Sequence, residues 1–415
     1  MNQPRSDRLG RAVFALSGAF LAFALGLVLG MWQLFPANLV NHAYGTLRDM
    51  ANYWQNDLGL VPTRHLVAAP PGRAAVRVAD AAALAPGDRL VAGLMPSRST
   101  LFAALLLAPD GRELHAWPVD YAALAPGHLK PQNVLLHGLQ PMPDGSLVVA
   151  FDAGDVLARI EACGATRWAT RGGFHHAVTL ADDGTLWTLL DDAIAQVDAA
   201  TGAVLRVIDI RKDLVDGKRL QGVFAIRTDE RQDAPAWVGD PFHINDVEPL
   251  PAALAAAFPM FAPGDLLVSL RELNLVAVLD PASLDLKWWS HGPWHKQHDP
   301  DFQPDGSIAV YDNDMGFGAS RIIKVFPATG RFAVALQGTE AEPFYNWRRG
   351  KHQGLANGNT LVVDAENGRV FEADPAGRRV WTYENVYDAG WNAIVTEGIQ
   401  IPPGFFAPGA LDCPR

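Results

Sequence analysis

The chain has 415 residues, 49% of them hydrophobic, with 38 glycines and 30 prolines. It is too long for one small domain and long enough for a large closed β fold plus an anchor. The net charge of −11 and the lack of a basic patch exclude nucleic acid as a partner, because binding phosphates needs a basic face.

The stretch from Ala12 to Phe35 carries no charge. It exceeds the roughly 20 residues that a helix needs to cross a bilayer. Arg5, Arg8 and Arg11 precede it, which places the N-terminus on the cytoplasmic side. We expect a single-pass anchor in the inner membrane, with the rest of the chain in the periplasm or outside the cell. A cleaved signal peptide is the runner-up; its apolar region is ordinarily shorter, and no cleavage site follows Leu34. Either reading exports the body.

Leu39 to Leu58 has few breakers and reads as a helical stalk, and Ala69-Pro70-Pro71-Gly72 as a linker. The expected organisation is 1–36 cytoplasmic tip and transmembrane anchor, 37–75 stalk and linker, and 76–415 the body.

The body repeats itself. One half of the repeat is a hairpin with Gly or Asp at its turn and often Trp at its end. It begins at Leu105, Leu157, Ala195, Val276, Ile322 and Arg369. The other half turns at Asp144-Gly145, Asp183-Gly184, Asp305-Gly306 and Asn357-Gly358, dipeptides that tolerate the positive φ of tight turns. Two hairpins per repeat make a four-stranded blade, and six copies predict an all-β, six-bladed β-propeller. Asp209 to Asp240 and Leu250 to Pro263 break the rhythm and should lie at a rim; the second, rich in Ala, suits a short helix.

Histidines share a phase in this repeat. His137, His176 and His298 each lie eight residues before the turn glycine, and His352 lies six before it, on the same face by the period of two. His243 begins the corresponding strand of the interrupted blade. Five of the six blades thus place a histidine at the start of the innermost strand, facing the central channel. Three readings compete: hydrogen-bonded ties between blades, a metal site assisted by Asp246 and Asp299, and an active site using histidine as nucleophile and acid/base. The two cysteines, Cys163 and Cys413, could pair in an oxidising compartment and staple the C-terminal tail.

Several segments together resemble the bacterial arylsulfate sulfotransferase family. They are Phe242-His243-Ile244-Asn245-Asp246-Val247, Asp265 to Arg271, Gln297-His298-Asp299, Asn357 to Leu361 and Gly368 to Glu372, in that order. The resemblance covers roughly residues 100 to 405. It implies a periplasmic six-bladed propeller that moves a sulfuryl group from a phenolic sulfate to a phenol, through a sulfohistidine and without a nucleotide donor. The partners implied are a small aryl sulfate and a phenol, with the membrane through the N-terminal helix. No cofactor and no metal enter this reading.

Carried over by motif, His243 and His298 bind and stabilise the sulfuryl group, and His352 is the candidate nucleophile. Where the family's arginine is expected, the chain has Phe317, with Arg321 close by. Arg321, His176, Asn245 and His137 are the expected substrate-binding residues. Trp294, Phe242, Phe317 and Tyr345 could wall an aryl group or simply pack the blades. Two other functions compete: a non-catalytic propeller that binds partners at the membrane, and a metal-dependent hydrolase built on the histidine ring.

Overall fold

The computed structural model describes residues 5–31, part of 39–61, and 63–413 except 96–97, 231 and 238. The chain forms two compact units, Met1–Arg64 and His65–Arg415.

In the first unit a helix, α1, spans Arg5–Met31. Its segment Gly10–Met31 has a mean hydropathy of 2.4, and none of it is buried within the protein. Such a face stays out of water only in a bilayer or a translocon, so the helix fits a single-pass anchor or a signal sequence. The described positions between 39 and 55 are helical; the rest of the expected stalk lies outside the described residues, as do residues 32–35 of the apolar stretch.

The second unit is a six-bladed β-propeller. Blade two pairs Leu135–Pro141, Leu147–Asp152, Val156–Ile160 and Thr166–Arg171 in sequence order. Blades three, four and five repeat this order, beginning at Phe174, Ile244 and His298. Blade six starts at Lys351–Gly354 and gains Val76–Val78 as a fifth, outer strand. In blade one the innermost strand is the C-terminal Val395–Ile401, paired with Asp88–Leu94. The two ends of the body therefore share one sheet, and the ring has no free seam. Neighbouring innermost strands contact one another around the channel.

The middle strands are fully buried runs, such as Leu266–Leu270 and Leu275–Leu279, because both faces pack against adjacent blades. The joint between blades six and one also holds a buried ion pair. Arg89 and Glu372 are fully enclosed, and Glu372 Oε1 also accepts hydrogen bonds from the Ala85 amide at 2.8 Å and from Asn359 Nδ2 at 2.6 Å.

Cys163 and Cys413 form a disulfide, with Cα atoms 5.6 Å apart. It holds the tail over blade two, where the Ala407 amide donates to the Pro143 carbonyl at 2.8 Å. The tail also explains Gly145: a Cβ there would fall 2.2 Å from the Ala410 carbonyl oxygen. Asp209–Asp240 carries a short π-helix, Ile210–Asp216, and leads into the start of blade four's innermost strand. Leu250–Pro263 follows the end of that strand and contains the 3-10 turn Ala255–Ala257. The two insertions thus sit at opposite rims.

Removing one partner of a buried pair strands the other charge, which costs about 3–5 kcal/mol. Glu372→Ala should lower stability by that amount in a denaturant melt, and Glu372→Gln, which keeps the acceptor for Ala85, by less. A loss under about 1 kcal/mol in Glu372→Ala would show that the joint does not depend on this pair.

Candidate active site

The innermost strands are not regular. Those of blades one to five each carry a register shift: at Val395/Glu397, Leu136/Leu139, His175/Val178, Ile244/Asp246 and His298/Asp301. A bulge adds a residue and re-aims the side chains beside it. His176, His243 and Asp299 accordingly take positive φ values of 56°, 42° and 48°. Blade six has no such shift. His298 pairs with Tyr311, five residues after its turn glycine, whereas His352 pairs with Val362, four after Gly358. His352 therefore sits one position deeper than His298, and Lys351 takes the level of the other histidines. Counting back by twos could not show this, because the extra residues belong to the bulges.

The motif residues hold the histidines in place. Asn245 Nδ2 donates to the Gln297 carbonyl at 2.8 Å, joining blade four to the residue before His298. Gln297 Nε2 in turn donates to Ser269 Oγ at 3.0 Å and the Leu275 carbonyl at 3.1 Å. Asn245 thus works as a tie between blades.

His298 has a fixed tautomer. Asn313 Nδ2 donates to the carbonyls of Asn346, at 2.9 Å, and Arg349, so its Oδ1 can only accept. That oxygen lies 2.6 Å from His298 Nδ1, which must carry the proton, leaving the lone pair on Nε2. Burial, reinforced by the nearby Arg271, holds this imidazole well below its usual pKa despite the Asn313 bond.

His352 is prepared in a similar way but by a carboxylate. Asp299 Oδ2 accepts from the His352 backbone amide and from its Nδ1, the latter at 3.1 Å. Its Nε2 is buried without a hydrogen-bond partner, 3.6 Å from Asp301 Oδ2.

Around this ring lies an acidic group. Burial, with repulsion from Asp299, raises Asp246 and Asp301 well above ordinary carboxylates. Glu248, whose Oε2 accepts from the Phe302 amide at 3.0 Å, is pushed up to about 8, mainly by burial. Lys351 Nζ pairs with Glu397 Oε2 at 3.0 Å. Burial works against the ammonium charge, but Glu397, Asp299 and Asp246 outweigh it and raise its pKa.

At the mouth, His137, His176 and His243 form a chain of rings with centroids 4.4 and 5.5 Å apart. His243 Nδ1 is bonded to Asp240, which the charged insertion supplies. A cavity of about 430 Å³ opens here, lined by Asp152, His175, His176, Asp191, Asp240 and His243.

The structure thus brings His137, His176, His243, His298 and His352 to one channel. It does not bring Arg321 there. That residue is on the third strand of blade five, bound to Asp312 and to the Pro293 carbonyl. Phe317 is 76% exposed, while Trp294 and Phe242 are buried in blade packing and the Tyr345 hydroxyl accepts from the Gly316 amide. The guanidinium groups near the histidines are Arg271 and Arg349, each with a buried Nε that lacks a partner. Arg271 ends a motif already noted in the sequence; Arg349 had no periodic signal.

The chain matches the arylsulfotransferase (ASST) family over residues 139–386, more than half its length. It belongs to the arylsulfotransferase family. Membership supports an arylsulfotransferase-like function in general terms. No curated protein matches the chain. Among solved structures, a protein of unknown function from Bacteroides caccae is similar at 13% identity and a TM-score of 0.48, covering 74% of this chain and 99% of that one. A nidogen/laminin complex chain matches at 12% identity and a TM-score of 0.45, over 74% and 97%. Virginiamycin B lyase from Staphylococcus aureus matches at 10% identity and a TM-score of 0.37, over 60% and 69%. Likenesses this remote add nothing to the geometry.

The raised pKa of Glu248 makes stability depend on pH. The folded carboxyl holds its proton up to about pH 8, and the unfolded one releases it near 4.5. The folded state binds more protons between those values, so this group's contribution is present below about 4.5 and lost as pH rises through about 8. Glu248→Gln, neutral throughout, should show a smaller fall in Tm than the parent chain over that window. Parallel Tm curves for the two proteins would remove Glu248 from the effect.

Proposed function

We propose that this arylsulfotransferase-family protein moves a sulfuryl group from a phenolic sulfate to a phenol through a sulfated His352. The observation that carries the reading is the preparation of that imidazole. Asp299 fixes Nδ1 as a donor, and Nε2 is left with its lone pair and no competing hydrogen bond. His298 has a free Nε2 as well, but a neutral amide backs it. A carboxylate behind the ring favours the charge that develops when Nε2 bonds to sulfur.

Nε2 attacks sulfur, the S–O bond to the aryl group breaks, and the phenolate leaves with the electron pair. Asp301, whose burial favours its protonated form, stands beside Nε2 and would give a proton to the phenolate. In the second half the acceptor phenol returns a proton to Asp301 and its oxygen takes the sulfuryl group from His352. Negative charge on the nonbridging oxygens needs cationic donors. Lys351 and Arg271 would supply them, with His243 and with His298, which can take a proton on Nε2 once the anionic ester is bound. Arg321, held by Asp312, has no such part. Trp237, beside a cavity of about 440 Å³ that shares Asp240 and Asp192 with the histidine mouth, is suited to guide an aryl group inward.

The apolar α1, with Arg5, Arg8 and Arg11 in its first turns, and the Cys163–Cys413 bond both support an anchored protein whose propeller works in an oxidising compartment such as the periplasm.

The test uses the full chain in detergent, a chromogenic aryl sulfate and a phenol. His352→Asn should cut acceptor-dependent turnover by at least about a thousandfold, and Asp299→Asn by about 10- to 100-fold. Wild-type turnover in His352→Asn would refute the assignment.

A further inference from the structure

A second cluster at the channel mouth has no part in the sulfuryl chemistry just described. Asp152, at the end of blade two's second strand, lies between two imidazoles. His137 Nδ1 is 3.1 Å from its Oδ2, and His176 Nδ1 is 3.4 Å from its Oδ1. Three donor atoms of these residues lie within 4.8 Å of one another. Two metal–ligand bonds of about 2.1 Å, set at tetrahedral or octahedral angles, put their donor atoms about 3.0–3.4 Å apart. The two imidazole–carboxylate spacings, one to each oxygen of Asp152, already fall at that separation.

The backbone enforces that spacing. Gly138, next to His137, brings blade two against blade three so closely that a Cβ would fall 2.1 Å from the His176 carbonyl oxygen. His176 is held at a φ of 56°, a conformation that a non-glycine residue adopts at some cost in energy. His175 adds a further constraint. Its Nε2 lies 2.9 Å from the Asp191 carbonyl, which only accepts, so its Nδ1 carries a lone pair. That lone pair faces His176 Nδ1 at 2.6 Å. A carboxylate and an imidazole lone pair thus converge on one side of the His176 ring.

We propose that His137, Asp152 and His176 form a binding site for a divalent transition-metal ion of the zinc type. Two imidazoles and one carboxylate are a donor set for zinc, iron or manganese, and three protein ligands leave positions open. Two of the three, Asp152 and His176, line the cavity of about 430 Å³.

Asp299, Asp301 and His352 also place donor atoms within 4.8 Å of one another. They suit a cation less. Asp299 Oδ2 already accepts two N–H groups from His352, and the Lys351 ammonium is close enough for Asp299 to raise its pKa. The proposal is independent of the sulfuryl-transfer reading, since none of its three ligands is His352, Asp299 or Asp301.

The experiment takes the full chain in detergent, without a histidine tag, stripped by chelator. Zinc is then added in competition with a chromophoric chelator. One zinc per chain, at micromolar affinity or tighter, is expected. Asp152→Asn should weaken it at least about 100-fold, and Asp301→Asn should leave it unchanged. X-ray absorption at the zinc edge of the unaltered protein gives a readout that does not depend on any variant folding. Two imidazole ligands plus oxygen at about 2.0–2.1 Å are expected. No tight zinc, zinc lost in Asp301→Asn but kept in Asp152→Asn, or an absorption spectrum without imidazole scattering would each overturn the proposal.

Discussion

The site depends on closure of the ring. Val395–Ile401, from the far end of the chain, is the innermost strand of blade one and pairs with Asp88–Leu94. That pairing, the Arg89–Glu372 contact and the added strand Val76–Val78 lock blades six and one together. With the ring closed, the six innermost strands surround one channel, and their starts share one mouth. Side chains from residues as far apart as His137 and Glu397 can then act on one another. A single sheet or an open sandwich carrying the same motifs would scatter them.

Closure alone does not aim the histidines. The register shifts on five innermost strands do so, together with ties between blades such as Asn245 to Gln297. Each tie fixes the residue next to a functional one, so the role of a motif such as Gln297-His298 is geometric as much as chemical. The same devices separate the site into two chemistries. Toward the mouth, imidazoles surround Asp152; one level deeper, His352 is set among carboxyl groups whose burial favours their protonated forms. Protonated carboxyls beside a nucleophile can shuttle protons, which ionised ones at the same place could not donate.

Most of the fold was legible in the sequence. Hairpin repeats with Asp-Gly turns set the blade count, and the uncharged run after Arg11 set the helix, because both are local patterns. The in-phase histidines were legible for the same reason. What escaped was non-local or hidden by bulges. The depth of His352 depends on which strands carry extra residues. Arg321 looked available by position, yet Asp312 engages it from the adjacent strand. Asp152, Asp240 and Arg349 enter from a second strand, an insertion and a loop, where no periodicity marks them. The pairing of Cys163 with Cys413 needed a distance that only the folded chain supplies.

The central claim is that His352 carries the sulfuryl group between donor and acceptor. The most direct measurement mixes the full chain with a chromogenic aryl sulfate in the absence of any acceptor phenol, then quenches and digests it for mass spectrometry. The account predicts a burst of one phenol per chain and one added SO₃ on the peptide containing His352. No burst, or SO₃ found on the His298 peptide instead, would contradict it.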